Sequence, residues 1–228
     1  LIDLLFKNPA GFRGGARLLA LLLTVLAISG CQSLDNPGTN AILATAKGSL
    51  PFSGNPVDGA VLDPNIGFLR VTYDGNVALF ALAFIDHNQA GEVTVYFGPE
   101  RSVLKLQNGH VLSLLGTSLE WHSVKLSQNP VFPGAAGQNI ERRRDVEPGE
   151  RFDRLDHLTI ARAAPEARAL KGIDPNILTW YSESSSDLPP GRIATNSAGV
   201  PVYGEQWLDD GHLFTWQLWP VDRIHPLP

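Results

Sequence analysis

The chain has 228 residues, with 18 basic and 23 acidic side chains and a net charge of −5, and this balance excludes a nucleic-acid binder, which needs a basic face. A single cysteine excludes an intrachain disulfide framework. The 22 glycines and 17 prolines are too many for a helical protein, and the short apolar runs between them predict an all-β fold.

The first element is a leader. Lys7, Arg13 and Arg17 precede an uncharged run from Leu18 to Ser29. About a dozen residues are too few to span a bilayer, which takes roughly 20. They suit the apolar part of an export signal behind a basic flank. The run closes on Ile28-Ser29-Gly30-Cys31, with the lone cysteine last, and this reads as a lipobox. Residues 1–30 are then a lipoprotein signal peptide, and Cys31 is the lipidation site, carrying a diacylglycerol on its sulfur and an N-acyl chain on its new amine. No other cofactor is expected. Buried methylenes contribute about 0.8 kcal/mol each, and stable anchoring takes at least two chains. Gln32, rather than an aspartate, after the cysteine favours the outer membrane. Without Lys7, Arg13, Arg17 and Asp3, the mature chain holds 15 basic and 22 acidic groups, a net of −7.

Residues 31–40 read as a lipidated tether, mostly polar with Pro37 and Gly38. Asn40 caps a short helix over Ala41 to Lys47, ended by Gly48. Three prolines and two glycines make residues 49–66 a loop. Strands follow. Gly67 to Tyr73 alternates and stops at Asp74-Gly75; Asn76 to Ile85 is almost continuously apolar; Gly91 to Phe97 is rich in β-branched and aromatic residues. Ser102 to Gln107 meets Asn108-Gly109, a strong hairpin signal, and His110 to Leu115 returns from it. Leu119 to Leu126 alternates again. After a Pro/Gly-rich connection at 128–138, the runs Leu155 to Ala163, Asn176 to Ser182, Gly191 to Thr195, Val200 to Leu208 and His212 to Trp219 are five more strands. The expected architecture over residues 41–228 is a large antiparallel meander folded into a β-sandwich or barrel. The connection at 128–138 is the best place to divide it into halves, 41–127 and 139–228.

Catalytic signatures are not found. There is no Gly-x-Ser-x-Gly elbow, no phosphate-binding glycine loop and no His-Glu-x-x-His. Asp209, Asp210 and His212 offer metal-ligand atoms, but an Asp-Asp-Gly turn accounts for them. Glu100, Glu120, Glu183 and Glu205 are the carboxylates from which a glycosidase pair would be drawn, and nothing in their spacing selects two of them. No catalytic residue and no metal ligand is therefore assigned. Glu141-Arg142-Arg143-Arg144-Asp145 reads as a loop. Its three arginines, Arg142, Arg143 and Arg144, suit bidentate binding of an acidic sugar or a partner's carboxylates. The plainer reading pairs them with Asp145, Glu147 and Glu150 in solvent. Trp207, with Tyr181, Trp216 and Trp219, would stack on sugar rings if exposed; core filling is the stronger expectation.

Several pieces in order carry a family likeness. They are the lipobox at Cys31, the apolar strand Val77 to Phe84, the aromatic strand Val95-Tyr96-Phe97 leading to Asn108-Gly109-His110-Val111, the stretch Arg143, Asp145, Pro148, Gly149, and the tail Gly199-Val200-Pro201-Val202-Tyr203-Gly204-Glu205-Gln206-Trp207 running on to Trp219-Pro220. Over residues 30 to 220 the chain resembles the YjbF/GfcB-type bacterial lipoproteins, associated with exopolysaccharide and group 4 capsule secretion. It departs from that pattern where Val95-Tyr96-Phe97 replaces Trp-Tyr-Ser and His110 replaces an arginine. The resemblance implies a lipid-anchored, non-catalytic protein on the periplasmic face of the outer membrane. Its partners would be the membrane, through the anchor, and polysaccharide-secretion proteins or the polymer itself. Two other classes stand beside it: a periplasmic carbohydrate-active enzyme using a carboxylate pair, and a carrier of lipid or lipoprotein cargo in a half-open barrel with an apolar lumen.

Overall fold

Two turns set the hairpin geometry. Asp74-Gly75 and Asn108-Gly109 hold positive φ at both central positions, 49° and 76° in the first and 45° and 84° in the second. A two-residue hairpin needs that backbone, and glycine adopts it without steric cost. The first turn joins β1 (Phe68–Tyr73) to β2 (Asn76–Asn88); the second joins β4 (Val103–Gln107) to β5 (His110–Leu115). Between them lies β3 (Gly91–Phe97), and beyond them β6 (Glu120–Leu126), β7 (Asn139–Glu147), β8 (Arg151–Ala163) and β9 (Thr179–Ser184). The chain ends in β10 (Gly191–Thr195), β11 (Pro201–Trp207) and β12 (Leu213–Trp219). This computed structural model describes residues 57–223 except Glu150. The leader, Cys31, the tether and the helix expected at Ala41 to Lys47 lie outside the described residues.

The twelve antiparallel strands form one closed barrel in chain order. β1 pairs with β12, from Phe68 opposite Trp219 to Tyr73 opposite Phe214. Closure removes every sheet edge, and with it the row of unpaired backbone groups that an open meander would carry.

One predicted loop is a strand. Residues Glu141 to Asp145 lie inside β7, where Ile140, Arg142, Arg144 and Val146 are buried and Glu141 and Arg143 are exposed. The alternation is unbroken, but arginines occupy two of the inward positions. The connection at 128–138 packs onto the barrel. Its Phe132 and Ala135 are buried with Ile140, Leu158, Ile160, Tyr181 and Ile193. The Gly137 N–H donates to the Ile160 carbonyl at 2.7 Å. Strands from both expected halves therefore share one sheet.

The inward side chains form two apolar groups. The larger holds Leu69, Phe80, Leu104, Trp121, Phe214 and Trp216; the smaller surrounds Phe132. Outside, residues 164–178 cover β9 to β12, with Ala167, Leu170 and Leu178 against Trp180, Ala194 and Tyr203. Two buried polar side chains under this cover, Glu205 and Gln217, are paired. Glu205 accepts from the Arg168 N–H and Nη1, both at 2.7 Å, and from the Tyr203 hydroxyl at 2.5 Å. Gln217 bonds both the N–H and the carbonyl of Lys171.

Gly204 shows how tightly the lumen is filled. A Cβ there would lie 2.4 Å from Trp216 Nε1 and 2.7 Å from its Cε2. The ring is 2 % exposed and has no flexible end to move aside. Gly204→Ala is expected to destabilise the barrel by about 1–3 kcal/mol, the usual result of overpacking. A urea unfolding midpoint equal to that of the parent protein would show that the ring has room to shift.

Candidate functional site

A charged network crosses the lumen between the two apolar groups. Asp156, inward on β8, accepts from Arg142 Nε at 2.9 Å, Arg144 Nε at 2.7 Å and Arg144 Nη2 at 3.1 Å. Both guanidinium groups lie over the Trp121 ring, 4.8 and 5.1 Å from its centroid. Trp121 Nε1 and Arg144 Nη1 converge on the Leu208 carbonyl, at 3.1 and 3.3 Å. On β9, Glu183 bonds His110 Nε2 and accepts from Gln206 Nε2 at 3.3 Å. The Gln206 amide oxygen accepts the Val111 N–H at 2.9 Å. The second ring nitrogen of His110 faces the Asn108 carbonyl at 3.1 Å, and the ring stacks on Phe132. A void beside Arg142, Glu183 and Gln206 measures about 10 Å³, room for one water at most.

These charges are out of water and depend on one another. Burial by itself would raise the Asp156 carboxyl, but the hydrogen bonds and charges of Arg144 and Arg142 outweigh it and hold the group below the usual carboxylate range. For Glu183, burial again pushes upward, and the His110 charge and hydrogen bond, then the Arg142 charge, bring it below its ordinary value. Burial lowers Arg142, and Asp156 and Glu183 oppose that shift. A carboxyl with a depressed folded pKa stabilises the fold above its unfolded value, about 4, and that contribution disappears as pH falls through the folded value. The melting temperature is therefore expected to change little from the Asp156 and Glu183 terms between pH 7 and 5, and to fall steeply below about pH 4. Calorimetry on Asp156→Asn, which has lost one of the two carboxyls, should show a shallower acid limb than the parent. An identical limb would rule Asp156 out as a cause of the acid loss.

The four side chains expected to bind do not form one site. Arg142 and Arg144 are buried in the lumen and paired with Asp156. Arg143 points outward and bonds Asp153 at 2.8 Å. Trp207 sits half-buried on the outer face, with the Arg168 guanidinium 5.6 Å from its ring centroid. The solvated-loop reading is corrected for the same reason: β-strand alternation sends two arginines inward, to a carboxylate a dozen or more residues away. Glu183 and Glu205, two of the candidate acids, lie on opposite faces of the sheet, one in the lumen and one under residues 164–178. Asp209 Oδ1 accepts from the Gly211 and His212 N–H groups at 2.9 Å and contacts His212 Nδ1 at 2.7 Å, as a turn requires. The network of Asp156, His110, Glu183 and Gln206 escaped sequence reading. Its one visible signal is that Asp156 shares strand parity with Leu158 and Ile160, which marks it as inward.

Two cavities open at opposite ends of the barrel. Near the Asn108-Gly109 turn, a space of about 360 Å³ has Tyr96, Leu106, Trp216 and Leu218 in its wall. Pro64–Phe68, Trp219, Glu92, Thr94, Asn108 and Asn196 also line it. Burial pushes the Tyr96 hydroxyl up to about 12, so it stays a neutral donor. Near the Asp74-Gly75 turn, a space of about 230 Å³ is walled by Val71, Tyr73, Phe80 and Phe214.

No protein-family model and no curated protein matches the chain. Among solved structures, the barrel is similar to the hypothetical lipoprotein YmcC from Escherichia coli K12. The two share 16% identity over 71% of this chain and 90% of that one, with a TM-score of 0.53. That likeness establishes a common fold.

Proposed function

We propose that this is a lipid-anchored bacterial protein on the periplasmic face of the outer membrane, acting without catalysis in exopolysaccharide or capsule secretion. The observation that carries the reading is a shared barrel: a chain with a lipobox at Cys31 has the fold of a protein described as a hypothetical lipoprotein. The order of motifs resembling the YjbF/GfcB-type lipoproteins supports the pathway. The non-catalytic role draws on the lumen, where the charged side chains satisfy one another and the adjoining void has room for one water at most. A mature net charge of −7 disfavours broad contact with an anionic polymer, so contact with the polymer is local.

Two measurements test this. In cells fed labelled palmitate, Cys31→Ser is expected to lose the label, keep its leader and leave the outer-membrane fraction. A variant still sedimenting there with unchanged size and label would remove the anchor from the account. A deletion strain is expected to secrete less polymer, with rescue by the parent gene. Unchanged output would overturn the secretion role.

A further inference from the structure

We infer that the 360 Å³ cavity beside the Asn108-Gly109 turn binds a short, uncharged stretch of saccharide. This deepens the secretion reading and rests on it for the source of the sugar. The volume lies within the range of small-ligand sites, roughly 300–1,000 Å³. Its lining includes Trp219, which is partly exposed and suits the C–H face of a pyranose ring, together with the buried Tyr96 and Trp216.

The rim supplies the complementary polar groups. Asn196 uses its amide oxygen on the Ala198 and Val200 N–H groups, which leaves its NH₂ without an acceptor among the described residues. Asn108 uses its NH₂ on the Pro130 carbonyl, which leaves its amide oxygen open among the described residues. Thr94 donates to the Leu106 carbonyl and also meets the Tyr96 hydroxyl. The Asn196 NH₂, the Asn108 amide oxygen and the Glu92 carboxylate thus share the lining with aromatic rings, matching sugar hydroxyls that both give and take hydrogen bonds. An acyl chain would strip water from these groups and replace none of their hydrogen bonds. An acidic sugar would meet Glu92, and no lysine or arginine among the described residues lines the cavity to offset it. The arginines that favoured an acidic ligand from sequence are committed to Asp156 and Asp153.

The test uses the full lipidated protein in nanodiscs and isothermal calorimetry. The probes are neutral tetrasaccharides of glucose, galactose, mannose and N-acetylglucosamine, with tetragalacturonate and palmitate as contrasts. At least one neutral probe is expected to bind, and the uronate not to bind. Leu218→Trp and Thr94→Phe each narrow the cavity from a different strand. Both are expected to weaken that binding by about tenfold or more, with the melting temperature as a control for folding. The inference is overturned if no neutral probe binds, if binding survives both substitutions in folded protein, or if palmitate alone binds and is displaced by them. Export lost on deletion without saccharide binding sinks this inference alone. Saccharide binding with export unchanged on deletion sinks the secretion role alone.

Discussion

Asp156→Ala is expected to cost about 3–5 kcal/mol, the usual loss when one partner of a buried ion pair is removed. Asp156 is 2 % exposed, and Arg142 and Arg144 are 5 % and 4 % exposed. With the carboxylate gone, two guanidinium groups stay in the lumen with the Trp121 face, the Leu208 carbonyl and the more distant Glu183 for company. Arginine cannot escape by losing its proton. The matching experiment replaces all three: Arg142→Met, Arg144→Met and Asp156→Leu together. Apolar replacement of a whole buried ionic group is often neutral or stabilising, so the triple variant should unfold near the parent's denaturant midpoint. A single variant as stable as the parent would mean that water reaches the arginines. A triple variant as unstable as the single would mean that the charges hold the barrel's register rather than balance one another.

Trp121→Ala should be comparably severe, at about 3–5 kcal/mol for a large aromatic truncated in a packed core. Trp121 is fully buried in the larger apolar group, has both guanidinium groups over its ring and donates to the Leu208 carbonyl. Trp121→Phe separates these roles. It keeps most of the packing and loses the hydrogen bond, a loss of about 0.5–1.5 kcal/mol. If Phe were as damaging as Ala, the contact with Leu208 would outweigh the packing. Such a result would move the centre of the network from Asp156 to the β11–β12 turn.

The network has a structural logic. Its members come from five strands, β5, β7, β8, β9 and β11, and each bond crosses the lumen or joins neighbouring strands. A shift of any one strand by a single residue would turn its polar member outward and leave a buried partner unpaired. Apolar residues alone would tolerate such slips better, since one aliphatic contact substitutes for another.

Legibility differed by the range of the interaction. The hairpins at Asp74-Gly75 and Asn108-Gly109 were readable because a turn of two residues states its own requirement. β12 was readable because its apolar, aromatic-rich run is local. β7 was misread because Arg142 and Arg144 look like surface residues until their partner is known. The space beside Asn108 was invisible, since its wall draws on residues from Pro64 to Trp219.

From sequence alone came an antiparallel all-β meander and the placement of most of its turns, because backbone preference and side-chain parity are properties of near neighbours. The motif at Cys31 that reads as a lipobox likewise lies in one short run. Tertiary structure alone decided that the meander closes, that Asp156 neutralises two arginines and that His110 meets Glu183 across a separation of 73 residues. Those outcomes follow from burial, which rewards a charge only where its partner also arrives.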